Sequence, residues 1–287
     1  MTARLLILNA DDYGLSDGIS RGVLRAHDTG LISSVSVLAV GPAVDRAVAG
    51  LRDRPGLGVG AHLAVVGEDP PLLTAREIPT LVDGHGAFKP GWRSFTTAAM
   101  AGRVDMADVR REFGAQLERL VRDLGLPLGH VDTHQHLHLY PPIGRIVAEL
   151  ATKWGIPAVR VPTSTAPGPR GIVVRHWSRS LATRLRSAGL DFPEGYGGLD
   201  EAGSLTLSRT QRLVERLARG PARTFEVNFH PGEPTASDRI RYAWGYQWEA
   251  ELAGLTSAAL RETLRRLDLR LGRFTDLPAA DGGPARR

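Results

Sequence analysis

Short apolar runs alternate with amphipathic stretches along the whole chain. The runs at residues 4–10 (RLLILNA), 34–40, 56–65, 129–138, 158–162, 223–230 and 269–274 have the length and β-branched content of buried strands. Between them, apolar residues recur every three or four positions over 17–29, 43–53, 105–124, 141–154, 175–188, 208–219, 246–253 and 256–267, the spacing of a helix face. Asp17, Ser208 and Thr256 stand where helix caps are expected, and Gln211 after Ser208 resembles a capping box. Alternating strands and helices predict a mostly parallel sheet covered by helices. Seven such units in 287 residues predict an α/β fold of the (β/α) barrel kind, TIM-barrel-like but distorted or incomplete. A doubly wound open sheet is disfavoured, because no glycine-rich phosphate fingerprint follows the first strand.

Two segments break the rhythm. Residues 66–104 and 163–172 are rich in Pro and Gly, and connections this long in a compact domain usually act as lids or binding loops. With no internal repeat and no linker, residues 1–278 read as one domain and 279–287 (AADGGPARR) as a disordered tail.

Composition narrows the classes. Cysteine is absent, which excludes disulfides and thiolate metal sites and suits a reducing compartment. The apolar run 5–8 is too short for a signal core, and no stretch approaches the ~20 apolar residues of a transmembrane helix. A cytoplasmic protein is therefore expected. The net charge is +5, and of the 36 basic residues all but Lys89 and Lys153 are Arg. In stretches such as 108–123 (DVRREFGAQLERLVRD) they alternate with acids, the pattern of a solvated helix face, so no nucleic-acid partner is expected.

Polar residues collect at four predicted strand ends, where parallel α/β proteins gather their catalytic groups. These are Asn9-Ala10-Asp11-Asp12, His62 in GAHL, the run HVDTHQHLH at 130–138, and His230 in EVNFHPG. On an extended strand, Asp132, His134, His136 and His138 face one surface. Adjacent carboxylates at 11 and 12 repel, and a divalent cation nearby removes the conflict. Without Cys, a His/Asp site suits Zn²⁺, Mn²⁺, Co²⁺ or Fe²⁺, with Mg²⁺ less natural. Neighbouring strand residues point opposite ways, so Asp11 and Asp12 should have different jobs. The imidazole of His230 suits general acid work near neutral pH. The segment YAWGYQW adds Tyr242, Trp244, Tyr246 and Trp248, while Tyr13 and Tyr140 flank the acid pair and the histidine run. Tyr13, His136, His138 and Trp244 are the candidates for substrate contact, with Trp248 better suited to packing the last helices. Each feature taken singly also reads as a helix cap, a core histidine or a turn; the convergence of four strand ends favours a metal or catalytic site.

The motifs LNADDYGLS, GAHL, HVDTHQHLH and EVNFHPG, in that order and spacing, resemble those of the YdjC-like carbohydrate deacetylases, a group with chitooligosaccharide and hopanoid-biosynthesis-associated branches. The likeness runs from Leu5 to about Phe274. It implies a distorted (β/α) barrel that hydrolyses the N-acetyl group of an amino sugar in an oligosaccharide or glycolipid. It further implies one divalent ion (Zn, Mg, Mn or Co) on Asp12, His62 and His134, with Asp11 as general base and His230 as general acid. The closing RYAWGYQWEAELAGLTS resembles the hopanoid-associated branch, which would make a hopanoid glycoside the substrate. Two other readings stand beside this one. The His134-x-His136 spacing also suits an amidohydrolase-like enzyme, although neither Lys89 nor Lys153 ends a strand; a sugar-binding protein without activity is the second. A homodimer is left open.

Overall fold

The computed structural model describes residues 4–278, so the tail expected at 279–287 lies outside the described residues. The elements run β1 (Arg4–Tyr13), α1 (Asp17–Asp28), β2 (Ser34–Val37), α2 (Val44–Arg52), β3 (Gly58–Leu63), α3 (Trp92–Met100), α4 (Met106–Glu118), β4 (Leu128–Thr133), α5 (Pro141–Trp154) and β5 (Ala158–Val159). They continue with α6 (Gly168–Ser187), β6 (Gly195–Gly197), α7 (Leu207–Ala218), β7 (Thr224–Phe229), α8 (Ala236–Arg241), α9 (Trp248–Leu255), α10 (Ala258–Arg266) and β8 (Leu269–Leu271). The strands pair in the order β5-β4-β3-β2-β1-β7-β6, with every ladder parallel, and β8 joins the start of β1. Between β5 and the β6 end of the sheet, the described strand pairing is a single bridge, Ala158 to Asp191. The sheet therefore curls into a distorted barrel that stays open on that side.

Period-two alternation assigns each strand residue to one of two environments. Leu6, Leu8, Val35, Val37, Ala61, Leu63, Val131, Phe225 and Val227 join the large core shared with the helices. The alternate residues point inward. At the bottom of the barrel Leu5 and Ile7 pack with Ala158, Phe274 and Leu277. Above this plug the inward positions are almost all polar: Asn9, Asp11, Ser36, His62, His130, Asp132, Glu226 and Asn228, every one buried. The barrel interior is thus a hydrogen-bonded polar core enclosed by an apolar sleeve.

The helix boundaries differ from the sequence reading at the caps. Ser16 rather than Asp17 caps α1, accepting from Ile19 N, and Ser257 caps α10. Thr256 instead closes α9, and Ser208 lies inside α7. The segment predicted as helix 105–124 is α4 followed by a five-residue π-turn, Arg119–Asp123. Within the two predicted loops, α3 forms inside 66–104, and α6 begins at Gly168 rather than 175. Strand β6 and helix α8 had no signal strong enough to read from periodicity, being three and six residues long.

The predicted strand 129–138 requires a larger correction. β4 stops at Thr133, and His134–Leu139 winds into a tight 3₁₀ segment in which Gln135 and His136 take φ of 53° and 55°. Asp132, His134, His136 and His138 consequently do not form one strand face. The predicted strand 158–162 likewise ends after two residues, releasing Arg160 into the barrel.

Candidate metal centre and active site

Asp11 follows the inward register of Asn9, and it meets Arg160 from beyond β5. Arg160 Nη2 and Nη1 donate to Asp11 Oδ1 and Oδ2 at 2.6 and 2.8 Å. Asn9 Nδ2 and Asn228 Nδ2 donate to the same carboxylate at 2.8 and 3.1 Å. Asp12 would point into the outer apolar layer if β1 continued straight. Instead it takes φ 64°, and the β1–β2 register shifts between Ala10 and Tyr13. A non-glycine residue pays roughly 1–2 kcal/mol for that conformation, a cost usually tolerated where a side chain must be re-aimed. The turn swings Asp12 toward His62 and His134.

Three donor atoms converge there. Asp12 Oδ1 lies 3.4 Å from His62 Nε2 and 3.3 Å from His134 Nδ1, and the two ring nitrogens are 3.3 Å apart. His62 is fixed from behind: its Nδ1 bonds Oδ1 of Asp132, its direct partner in the β3–β4 ladder. That bond keeps Nε2 facing Asp12. Asp12 Oδ1 is buried and has no hydrogen-bond donor. One carboxylate oxygen and two imidazole nitrogens, held as a buried facing set, fit a divalent cation. Without one, a proton must take its place. Burial opposes the imidazolium of His62, but Asp132, Asp11 and Asp12 outweigh it and raise the pKa to about 10. Burial also favours neutral Asp12, yet the His134 and His62 imidazoles facing it hold it well below the usual carboxylate range.

A second grouping, Asp11, His62 and Asp132, has the right atoms at similar spacing. It is already occupied by protein charge. Arg160 bonds Asp11 and lies 3.0 Å from Asp132 Oδ2, while Asp132 accepts from Ser36 Oγ at 2.7 Å. A cation beside that guanidinium would be repelled, which leaves the Asp12 set as the metal candidate.

Arg160 is fully buried and touches three carboxylates, donating from Nε to Glu226 Oε1 at 2.7 Å. Burial, reinforced by Asp132 and Asp11, outweighs the guanidinium and lifts the Glu226 pKa to about 8. Neither Arg160 nor Glu226 stood out in the sequence reading. The available signal was a charge in the middle of an apolar strand, as in AVRVP and TFEVNF, where a buried ion is tolerated only with a partner.

His230 sits past β7 with its ring 4.6 Å from that of Tyr246. Its backbone N–H donates to the buried carboxylate of Glu251, which also accepts from Leu205 N. The buried Nδ1 of His230 has no protein partner. Trp244 leans over the cluster, its ring 5.5 Å from that of His134, and its Nε1 donates to Glu68 Oε1. Asp69 accepts from Arg241 and from the Tyr242 hydroxyl. The start of the 66–104 segment is thereby tied to the aromatic turn above the metal candidate.

The remaining candidates divide. His136 lies at the mouth, its Nε2 3.3 Å from the Tyr196 hydroxyl. It lines an apolar groove of about 370 Å³ with Trp92, Gln135, Tyr140 and Trp177. His138 is fully buried and bonds Thr133 Oγ1 at 2.7 Å and the Arg160 carbonyl at 3.1 Å. It therefore positions Arg160 and is not available to substrate. Tyr13 is also fully buried and donates to Ala47 O, on the helix side of the sheet. The conformation of Asp12 turns the following residue outward, so Tyr13 does not flank the cluster. Trp248 is buried among Tyr246, Trp244 and the α1 residue Ile19, as packing requires.

Comparison with known proteins places the whole chain in a family. The family model described as YdjC-like protein matches residues 5–266. A carbohydrate deacetylase of Geobacillus stearothermophilus is 32% identical over 90% of this chain and 91% of its own. A chitooligosaccharide deacetylase of Enterobacter sp. is 34% identical, covering 96% of this chain and 99% of its own. Among solved structures, a putative cellobiose-phosphate cleavage protein of Enterococcus faecalis superposes with a TM-score of 0.78 at 21% identity, covering 95% of this chain and 98% of its own, a likeness of fold. With a family match over nearly the whole chain, this protein belongs to the YdjC-like family.

Proposed function

We propose that the protein is a metal-dependent carbohydrate deacetylase that hydrolyses the N-acetyl group of an amino sugar. The observation that carries the reading is the convergence of Asp12 Oδ1, His62 Nε2 and His134 Nδ1 within 3.3–3.4 Å, beside a second acid held apart by Arg160. Carbohydrate deacetylases among the relatives support the substrate class.

Asp12, His62 and His134 would hold one divalent ion, which when bound polarises the acetyl carbonyl and acidifies a water. Asp11 takes a proton from the attacking water as its oxygen bonds to the acetyl carbon. Arg160 and Asn228 keep that carboxylate aimed while it does so. The C–N bond then breaks, and His230 gives a proton to the leaving nitrogen, so that acetate and a free amine result. Trp244, over His134, offers an aromatic face to a sugar ring and excludes water from one side. His136 borders the groove, whose aromatic walls suit an apolar group attached to the sugar, as in a glycolipid or a hopanoid glycoside.

The test is acetate release from a panel running from N,N′-diacetylchitobiose to a lipid-linked N-acetylglucosamine, after chelation and with Zn²⁺, Mn²⁺, Co²⁺ or Mg²⁺ restored. Metal-restored release supports the reading. Release that chelation leaves untouched, or glycan binding without release, overturns it.

A further inference from the structure

Net charge and the interspersed acids of 108–123 disguise a local imbalance. Between Glu149 and Asp191 the chain contains no acidic residue, and none lies between Asp83 and Asp105. These two acid-free stretches carry α6 and α3, which meet in space: the Arg170 guanidinium lies 5.6 Å from the Trp92 ring centroid, and that of Arg93 lies 5.2 Å from it. Arg93, Arg103, Arg170 and Arg179 in these stretches are exposed, and none makes an ion pair among the described residues. Some exposed arginines elsewhere pair, as Arg46 does with Asp17, Arg122 with Glu118 and Arg266 with Glu215.

The same face holds most of the exposed apolar side chains. Five large hydrophobic residues stand out from the described surface, and four of them, Trp92, Met100, Ile172 and Val173, are on α3 and the first turn or two of α6. Met100 is 72% and Ile172 60% exposed. Unpaired cations ringing exposed aliphatic and indole side chains match the interfacial zone of a bilayer with anionic lipids. A second copy of this chain is a poor occupant, because a two-fold contact would set arginine against arginine.

We propose that the α3–α6 face docks on an anionic lipid surface, with Met100, Ile172 and Val173 entering the headgroup layer and Arg93, Arg103, Arg170 and Arg179 meeting lipid phosphates. Docking places the apolar groove against the bilayer, on the side from which a lipid-linked molecule would arrive. The inference concerns binding alone and stands or falls separately from the deacetylase reading.

Co-sedimentation of the full chain with vesicles tests it, comparing phosphatidylcholine alone with phosphatidylcholine containing phosphatidylglycerol. Binding is expected to the anionic vesicles only, and to weaken with salt. Arg179→Gln should lower the partition coefficient roughly fivefold. Ile172→Asp should lower it further, with the thermal midpoints of both variants unchanged. Absence of binding to the anionic vesicles overturns the proposal, and so does binding that both variants retain. Tight binding of duplex RNA that Arg179→Gln weakens and Ile172→Asp leaves intact would assign the face to nucleic acid instead, and equally overturns it.

Discussion

Arg160 and Asp11 form a two-pronged buried ion pair, Nη2 to Oδ1 at 2.6 Å and Nη1 to Oδ2 at 2.8 Å, across the open barrel from β5 to β1. That pair makes the adjacent acids compatible. Asp11 is neutralised by the guanidinium, while Asp12, turned by its positive φ, is left to His62 and His134.

Removing Arg160 should be costly in two ways. Arg160→Met leaves Asp11, Asp132 and Glu226 buried around an apolar side chain, a loss of about 3–5 kcal/mol by analogy with broken buried pairs. Arg160→Lys keeps a charge but cannot form the two-pronged contact. Thermal unfolding should rank wild type above Lys above Met, and acetate release should fall at least tenfold in the Lys variant. An active, fully stable Met variant would show that the pair does not hold the site.

Asp11 and Asp12 should separate when metal content and turnover are measured together. Asp11→Asn is expected to bind the divalent ion at near-wild-type stoichiometry and lose nearly all turnover. Asp12→Asn, His62→Ala and His134→Ala should each lose bound metal, read by elemental analysis after dialysis. Metal loss in Asp11→Asn with retention in Asp12→Asn would reverse the assignment.

Asp132 is fully buried, and its bond orients His62. Asp132→Asn should weaken metal affinity by about 10–100-fold, the usual effect of losing a histidine's outer partner. Competitive chelation provides the measurement, and unchanged affinity would remove Asp132 from the site.

The two buried histidines should cost the protein stability on mild acidification, against an opposing gain from Glu226, which between pH 8 and 4.5 holds a proton only in the folded chain. Burial lowers the pKa of His130 to about 3 and of His138 to about 4, from 6.5 when unfolded. Below pH 6.5 the unfolded chain therefore binds protons that the folded chain refuses. The contribution is present above 6.5 and is lost progressively toward pH 4–3. Denaturant midpoints at pH 7 and pH 4.5 read the histidine contribution by difference: His130→Gln should be less stable at pH 7 and lose less than wild type between the two pH values. Equal changes in the two proteins would refute it.

Much of the fold was legible because the outer face of each strand obeys a simple rule. Leu6, Leu8, Val35, Val37 and Val227 mark the apolar sleeve, and the amphipathic helices mark what covers it. The inner face was harder to read. Asn9, Ser36 and Glu226 each look like a weakness in an apolar run until it is known that they share one interior. The histidine run misled for a local reason: strand alternation was extended through Gln135 and His136, whose backbone has already left the strand.

The sequence by itself determined the alternation of most strands and helices, the four polar strand ends and the pairing of an acid couple with histidines. Those properties follow from periodicity and from the chemistry of side chains near one another in the chain. Tertiary structure decided which acid faces which partner. That choice depends on Arg160, 149 residues away from Asp11, and on one left-handed residue at Asp12. Charge pairing across the barrel interior is a contact between distant segments, and no local pattern encodes it.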